Sequence, residues 1–242
     1  MTQLRGELDV GSRQHGRILV RMDISNDTSA LTADATVPVV GRFAPSPSGR
    51  VFSCLCAWLS ARSQGGRVVL RIEDLDDRCK KPEVAAQLID DLAWLGLEWD
   101  EGPYYQHERT DLYVEALHKL QDMGLTYPCF CTRAELHAAS APHASDGTPI
   151  YRGTCRGLTA AEVAERSLRR PPATRLRVPG VDDTDHDVIE FVDRTYGAQC
   201  EALATECGDF LVRRSDGVFA YQLAVVVDDA AMGITEVVRG CD

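Results

Sequence analysis

The chain has 242 residues, 44% of them hydrophobic and 26% charged, a composition that suits a globular protein with one sizeable core. No apolar run reaches the ~20 residues of a membrane span, and the longest candidate, 218–227, contains Tyr221 and Gln222. The start of the chain lacks an apolar signal core. Nine cysteines, odd in number and irregularly spaced, argue for a reducing compartment over a disulfide framework, so the cytoplasm is the expected location. A net charge of −11 would repel RNA if spread evenly, yet basic clusters stand at 78–81, at 166–170 with Arg175 and Arg177, and at 213–214. Each cluster reads first as a solvated face, so charge neither requires nor excludes an RNA partner.

Residues 1–38 mix Gly, Ser, Thr and Asp around one short apolar run at 18–20, and are expected to form a poorly ordered extension with at most one short strand. Val39 and Val40, entered through Pro38, open a short apolar run. Gly-Arg-Phe-Ala-Pro-Ser-Pro-Ser-Gly at 41–49 then forces a loop. A helix is expected over 52–64. A second apolar run at 68–72 ends in the carboxylates Glu73, Asp74 and Asp76. Strand, loop, helix, strand is half of a nucleotide-binding βαβ unit, whose ligand crevice lies outside the carboxyl ends of the strands. Arg42 and Glu73 sit near two such ends, where a guanidinium and a carboxylate can grip the carboxylate and the ammonium of one amino acid. In order and spacing these segments resemble the start of the class I glutamyl- and glutaminyl-type aminoacyl-tRNA synthetases. The resemblance runs from about Val40 to the last residue. It implies that Arg42, Phe43, Ala44, Pro45, Ser46 and Glu73 form one side of a glutamate pocket.

Beyond Asp76, a helix over 83–95 places Val84, Ala85, Leu88, Ile89, Leu92 and Leu95 on one face and ends at Gly96. A loop at 98–106 follows. A second helix over 109–123, burying Leu112, Ala116, Leu117 and Leu120, stops at Gly124. Trp94, Trp99 and the pair Tyr104 and Tyr105 read as packing. Cys129-Phe-Cys131 and, after a polar stretch, Tyr151-Arg-Gly-Thr-Cys155 make the next constellation. Two cysteines one residue apart can grip a tetrahedral zinc ion, and a returning loop can bring a third thiolate. His137, His143 and Tyr151 all stand close enough in sequence to supply a fourth ligand, histidine being the ordinary choice; three buried free cysteines are the alternative. Cys-x-Cys followed by Tyr-x-x-x-Cys resembles the zinc site of the glutamyl-Q tRNA(Asp) synthetases, short relatives of glutamyl-tRNA synthetase. In that family the tyrosine oxygen is the fourth ligand, which implies Tyr151 beside Cys129, Cys131 and Cys155, in a structural role.

Thr159-Ala-Ala-Glu162 is a capping-box pattern that starts another helix. Residues 175–178 and 188–193 read as strands. Residues 210–214 and 218–224 read as a hairpin across Ser215-Asp-Gly217, with 225–227 a buried strand ending at Asp228 and Asp229. A last strand over 235–238 delivers Arg239. Taken alone, Tyr221 and Arg239 read as a core tyrosine and a surface arginine. The resemblance implies that they complete the amino-acid pocket.

The implied fold is α/β: a Rossmann-like parallel sheet with helices on both faces, a nucleotide-binding fold interrupted by a zinc-binding α+β insert. The extension would take 1–38, the two halves of the catalytic domain 39–105 and 195–242, and the insert 106–194. The implied reaction has two steps: glutamate attacks the α-phosphate of ATP, and the glutamyl group passes to the queuosine of tRNA(Asp). A monomer is expected, with L-glutamate, ATP and tRNA(Asp) as partners and zinc as the bound metal. The resembling enzymes follow Ser-Pro-Ser-Gly with a His-x-Gly element that cradles ATP phosphates. Here Gly49-Arg50 runs straight into Val51, and no histidine occurs between His15 and His107. Those enzymes also continue past the position of Asp242 into more helices and a mobile lysine loop, so the chain reads as a C-terminally truncated member. Loss of one such stabilising group costs about 10²–10³-fold in rate. A non-catalytic remnant that keeps the glutamate and zinc sites, or the front of an enzyme charging tRNA(Glu), are therefore the competing readings.

Overall fold

The computed structural model describes residues 18–21, 38–44, 51–76, 81–136, 150–151, 153–180 and 188–239. In chain order these form β1 (Ile18–Arg21), β2 (Val40–Phe43), α1 (Val51–Ser63), β3 (Arg67–Ile72), α2 (Pro82–Trp94) and β4 (Glu101–Tyr105). A 3-10 turn (Gln106–Arg109) leads into α3 (Thr110–Asp122), β5 (Thr126–Cys129), α4 (Arg133–Leu136), α5 (Ala160–Ser167) and β6 (Ala173–Leu176). Then come β7 (Val188–Asp193), β8 (Gly197–Ala202), a π turn (Leu203–Cys207), β9 (Leu211–Arg213), α6 (Tyr221–Ala231) and β10 (Glu236–Arg239). The chain divides into two compact units. One comprises Met1–Arg109, Glu190–Gln199 and Asp228–Asp242; the other comprises Thr110–Ile189 and Cys200–Val227.

The first unit is built on a parallel sheet in the order β2-β3-β4, with Arg42 opposite Val69 and Phe43 opposite Leu70. Because side chains alternate along a strand, Val39 and Phe43 of the β2 segment and Val68, Leu70 and Ile72 of β3 share one face. There they meet Cys54, Ala57 and Ala61 of α1 and Ala85, Leu88 and Leu92 of α2. Val40 and Val69 take the opposite face, with Ile234 and Val237. Arg42 and Arg71 continue that second row. The small residues of α1 allow close approach, and Gly66 sets the limit: a Cβ there would lie 2.4 Å from the Val39 carbonyl oxygen. The segment entering β10 lies beside β2, since the Thr235 amide donates to the Val40 carbonyl (3.0 Å) and the Val40 amide to the Thr235 hydroxyl (2.9 Å). β10 pairs antiparallel with β1, within a sheet ordered β10-β1-β7-β8.

The second unit holds an antiparallel sheet, β5-β6-β9, with Tyr127 opposite Arg175. The capping box at Thr159 and Glu162 forms as expected. Several expectations need correction. The hairpin at Ser215–Gly217 is short: its return arm stops at Ala220, and residues 221–231 are helical, so 225–227 is not a strand. The valine-rich run favours a strand by propensity, but buried positions recur at Ala220, Leu223, Ala224 and Asp228, a helical period. The segment read as a loop at 98–106 contains β4, which pairs with β3 despite its Gly-Pro step. Trp94 is 85% exposed and is not packing. Leu95 and Leu112 are also exposed; α3 turns Tyr113 and Leu117 inward instead.

Gly66→Ala is expected to cost about 1–3 kcal/mol in chemical denaturation, from overpacking against backbone. Gly157→Ala, where a Cβ meets nothing within 4 Å, should stay within about 0.5 kcal/mol. Equal costs would contradict this packing of α1 on β2.

Candidate functional site

At the carboxyl ends of the parallel strands a chain of opposite charges is buried. Arg42 Nε donates to Asp229 Oδ2 at 3.0 Å and lies 2.8 Å from Oδ1 of the same carboxylate. Arg71 Nη1 reaches Asp229 Oδ1 at 2.5 Å, and Arg71 Nη2 donates to Glu73 Oε1 at 3.0 Å. Arg71 Nε lies 3.8 Å from Asp228 Oδ2, and Asp228 accepts from Arg109 Nε (2.6 Å) and Gln106 Nε2 (2.9 Å). Sheet alternation puts Arg42 and Arg71 on one face, and the last turn of α6 supplies both aspartates. Arg71 and Asp228 are fully buried. A buried charge is tolerable only where an opposite charge and hydrogen bonds meet it. Each member here therefore depends on its neighbours.

Burial drives the Glu73 carboxyl above its ordinary range, although Arg71 and Arg42 both pull it down. Burial likewise opposes the Arg71 charge, but Asp229 and Glu73 outweigh it and hold the guanidinium more firmly protonated. The Cys54 thiol is pushed up to about 12, by burial first and then by Glu73, with Arg42 acting the other way. Arg42, Glu73 and Cys54 thus lie within electrostatic reach of one another. Beside them Asp74 accepts from the His107 amide (3.0 Å) and pairs closely with His107 Nδ1, tying the end of β3 to the turn after β4.

The other residues expected at an amino-acid pocket are placed differently. Phe43 is fully buried and faces α1, away from the Arg42 row. Ala44 follows β2 and is half-buried, while Pro45 and Ser46 lie outside the described residues. Tyr221 opens α6, is 46% exposed and belongs to the second unit. Arg239 closes β10 and is exposed. Sequence reasoning missed Arg71, Gln106, Arg109, Asp228 and Asp229. Arg71 was findable, because it precedes Glu73 by two residues and shares a strand face with Val69. The two aspartates were hidden by reading their helix as a strand.

In the second unit the sulfurs of Cys129, Cys131 and Cys155 all lie within 4.8 Å of one another. Cys131 Sγ is 3.7 Å from Cys155 Sγ, and Tyr151 Oη is 3.5 Å from Cys129 Sγ and 3.7 Å from Cys131 Sγ. A tetrahedron with arms of ~2.3 Å has edges of about 3.8 Å, so these separations suit four ligands of one zinc ion. The Cys155 amide donates to Tyr151 Oη (2.8 Å) and the Phe130 amide to Cys155 Sγ (3.4 Å). Burial resists ionisation of the Cys155 thiol, yet the bonds from Phe130, Tyr151 and the other cysteines bring it below its ordinary value. Burial holds Cys131 at about 11 and, with the adjacent sulfurs, raises Tyr151. A dication bound by these atoms reverses that preference. The donor set fits zinc. His137 and His143, the other candidates for a fourth ligand, lie outside the described residues.

Asp229→Ala leaves two buried guanidinium groups without their shared partner, and a loss of about 3–5 kcal/mol is expected in chemical denaturation. Glu73 takes a proton more readily in the folded than in the unfolded chain. Its contribution to stability is therefore complete below the ordinary carboxylate range and is lost as pH rises through the raised value. Glu73→Gln, which mimics the protonated group, should keep or raise the thermal midpoint at pH 7 and flatten that pH dependence. A lowered midpoint with an unchanged slope would contradict this.

Residues 38–242 match the family model described as tRNA synthetases class I (E and Q), catalytic domain. A glutamyl-Q tRNA(Asp) synthetase of Nitratidesulfovibrio vulgaris is 48% identical over 218 residues, covering 84% of this chain and 65% of that protein. One of Symbiobacterium thermophilum is 49% identical over 219 residues, with the same coverage. The chain thus spans about two thirds of the length of these relatives. Among solved structures, a glutamate tRNA ligase from Elizabethkingia meningosepticum in complex with its amino acid superposes with a TM-score of 0.65 at 27% identity, over 82% of this chain and 43% of that one. No helix among the described residues is long and apolar enough to cross a membrane. The parallel sheet, the buried charges at its carboxyl ends and these matches agree: the chain belongs to the class I tRNA synthetases of the E and Q type, matching their catalytic domain.

Proposed function

We propose that this chain carries the glutamate-activating site of a glutamyl-Q tRNA(Asp) synthetase: ATP-dependent formation of glutamyl-adenylate, then transfer of the glutamyl group to the queuosine of tRNA(Asp). The observation that carries this reading is the buried chain Arg42–Asp229–Arg71–Glu73 at the strand ends, where this fold places its ligands. Arg42 takes a carboxylate of the substrate. Glu73, pressed toward neutrality by burial, takes the ammonium, which repays its lost hydration. Asp229 and Arg71 fix both groups, so little reorganisation accompanies binding. Ala44, Pro45, Ser46 and Arg239 would take part in binding the substrate, and the family reading assigns Tyr221 a substrate-binding role as well. Phe43 supports it from the core behind.

Cys129, Cys131, Tyr151 and Cys155 would hold zinc, which cross-links the insert at 106–194 and takes no part in the chemistry. The reading also makes the protein a cytoplasmic monomer. A second reading, the non-catalytic remnant, is favoured by one feature: Gly49-Arg50 meets Val51 with no intervening His-x-Gly element.

Glutamate-dependent ATP–pyrophosphate exchange separates the two when measured beside the Nitratidesulfovibrio vulgaris relative. Activation predicts exchange that is depressed by at least about 10²–10³-fold, the cost of one missing transition-state donor, and abolished by Arg42→Ala. Glutamate binding with no exchange above the glutamate-free background would establish the remnant. If exchange is present, glutamylation of queuosine-containing tRNA(Asp) but not of tRNA(Glu) is the expected acceptor pattern.

A further inference from the structure

Arg175 lies in β6 and is buried, 5% exposed. Among the described residues no carboxylate pairs with its guanidinium. Nη1 donates to the backbone carbonyl of Asp209 (2.6 Å), and Nε points at Cys129 Sγ (3.3 Å). The guanidinium carbon sits 3.8 Å from the centroid of the Tyr151 ring, a close stacked contact. The nearby Asp209 carboxylate is engaged elsewhere, by Tyr127, Arg156 and the Val178 amide. A permanently charged group buried without a carboxylate is unfavourable unless other negative charge answers it. Besides the Asp209 carbonyl, the groups it touches are Cys129 and Tyr151, two members of the four-donor cluster. A dication held by three thiolates and a phenolate carries an excess of negative charge, and a cation against two of those ligands offsets part of it.

We propose that Arg175 is a positioning residue of the metal centre. It supplies the counter-charge for a zinc ion held by Cys129, Cys131, Tyr151 and Cys155, and it clamps the Tyr151 ring so that its oxygen faces the ion. This rests on the zinc reading above and adds to it a fifth residue that does not touch the metal. The arrangement follows from β-pairing: Arg175 stands opposite Tyr127, two residues before Cys129, on the strand next to the one that carries that cysteine.

The test is zinc affinity by competition with a chromophoric chelator, on the whole chain, together with the absorption spectrum of the cobalt-substituted protein. Arg175→Gln keeps a planar polar group and removes the charge. Arg175→Lys keeps the charge and removes the fork. The wild type should hold one zinc per chain. R175Q should bind it about 10–100-fold more weakly, the range for lost partners of metal ligands, with a shifted sulfur-to-cobalt band. R175K should recover part of the affinity. Tyr151→Phe should shrink the effect of R175Q, because one of the two contacted ligands is then gone. Tight zinc in R175Q, within twofold of the wild type, overturns the role of Arg175 and leaves the metal centre standing. Equal losses in R175Q and R175K, or an R175Q chain that folds neither with nor without zinc, mark a merely structural arginine and overturn it too. A wild-type chain without zinc overturns the metal reading itself, and this inference with it.

Discussion

Asp229 stands between two buried guanidinium groups, those of Arg42 and Arg71, and the geometry of the strand ends depends on it. Two like charges on adjacent parallel strands repel, and burial makes the repulsion worse. One carboxylate shared between them turns repulsion into a bridge. It also tethers the last turn of α6 to β2 and β3. Glu73 and Asp228 extend the alternation on either side, so each positive group in the row meets a negative one. Such an arrangement contributes little net stability compared with well-packed apolar residues of the same volume. In the function proposed above, its value would be that polar groups are already oriented and stripped of water before a charged ligand arrives.

The same logic operates in the second unit with different chemistry. There sulfur and phenol oxygen replace carboxylates, and Arg175 replaces the guanidinium groups of the first unit. Asp209 plays the part of Asp229, gathering Tyr127, Arg156 and the Val178 amide around one buried carboxylate. Burial and the hydrogen bond to Asp209 push the Tyr127 hydroxyl above its ordinary value, and so keep it a donor.

Much of the first βαβ half was legible because its signals agree. The apolar run at 39–40, the loop at 41–49 and the apolar run at 68–72 all point to strand, helix and strand, and the helix bounds fell within one residue. The cysteine spacing was legible for a similar reason, since two thiols one residue apart have few structural uses. What stayed hidden was whatever depends on a partner far away in sequence. Val225, Val226 and Val227 favour a strand locally, whereas the helix they form brings Asp228 and Asp229 to Arg71 and Arg42. Arg175 read as one of several surface cations, because nothing nearby in sequence reveals that it stacks on Tyr151. β4 was obscured by its glycine and proline, which serve a sheet edge as readily as a loop.

The central claim is that Arg42 and Glu73 hold the two ends of one amino acid, and a ligand cycle tests it most directly. Calorimetric titration compares glutamate with glutarate, which lacks the ammonium, on the wild-type chain and on Glu73→Gln. If Glu73 receives the ammonium, the substitution weakens glutamate at least about tenfold, as for a lost charge-assisted hydrogen bond, and leaves glutarate nearly unchanged. Glutamate and glutarate affected alike, or glutamate bound as tightly by the variant as by the wild type, would contradict the account.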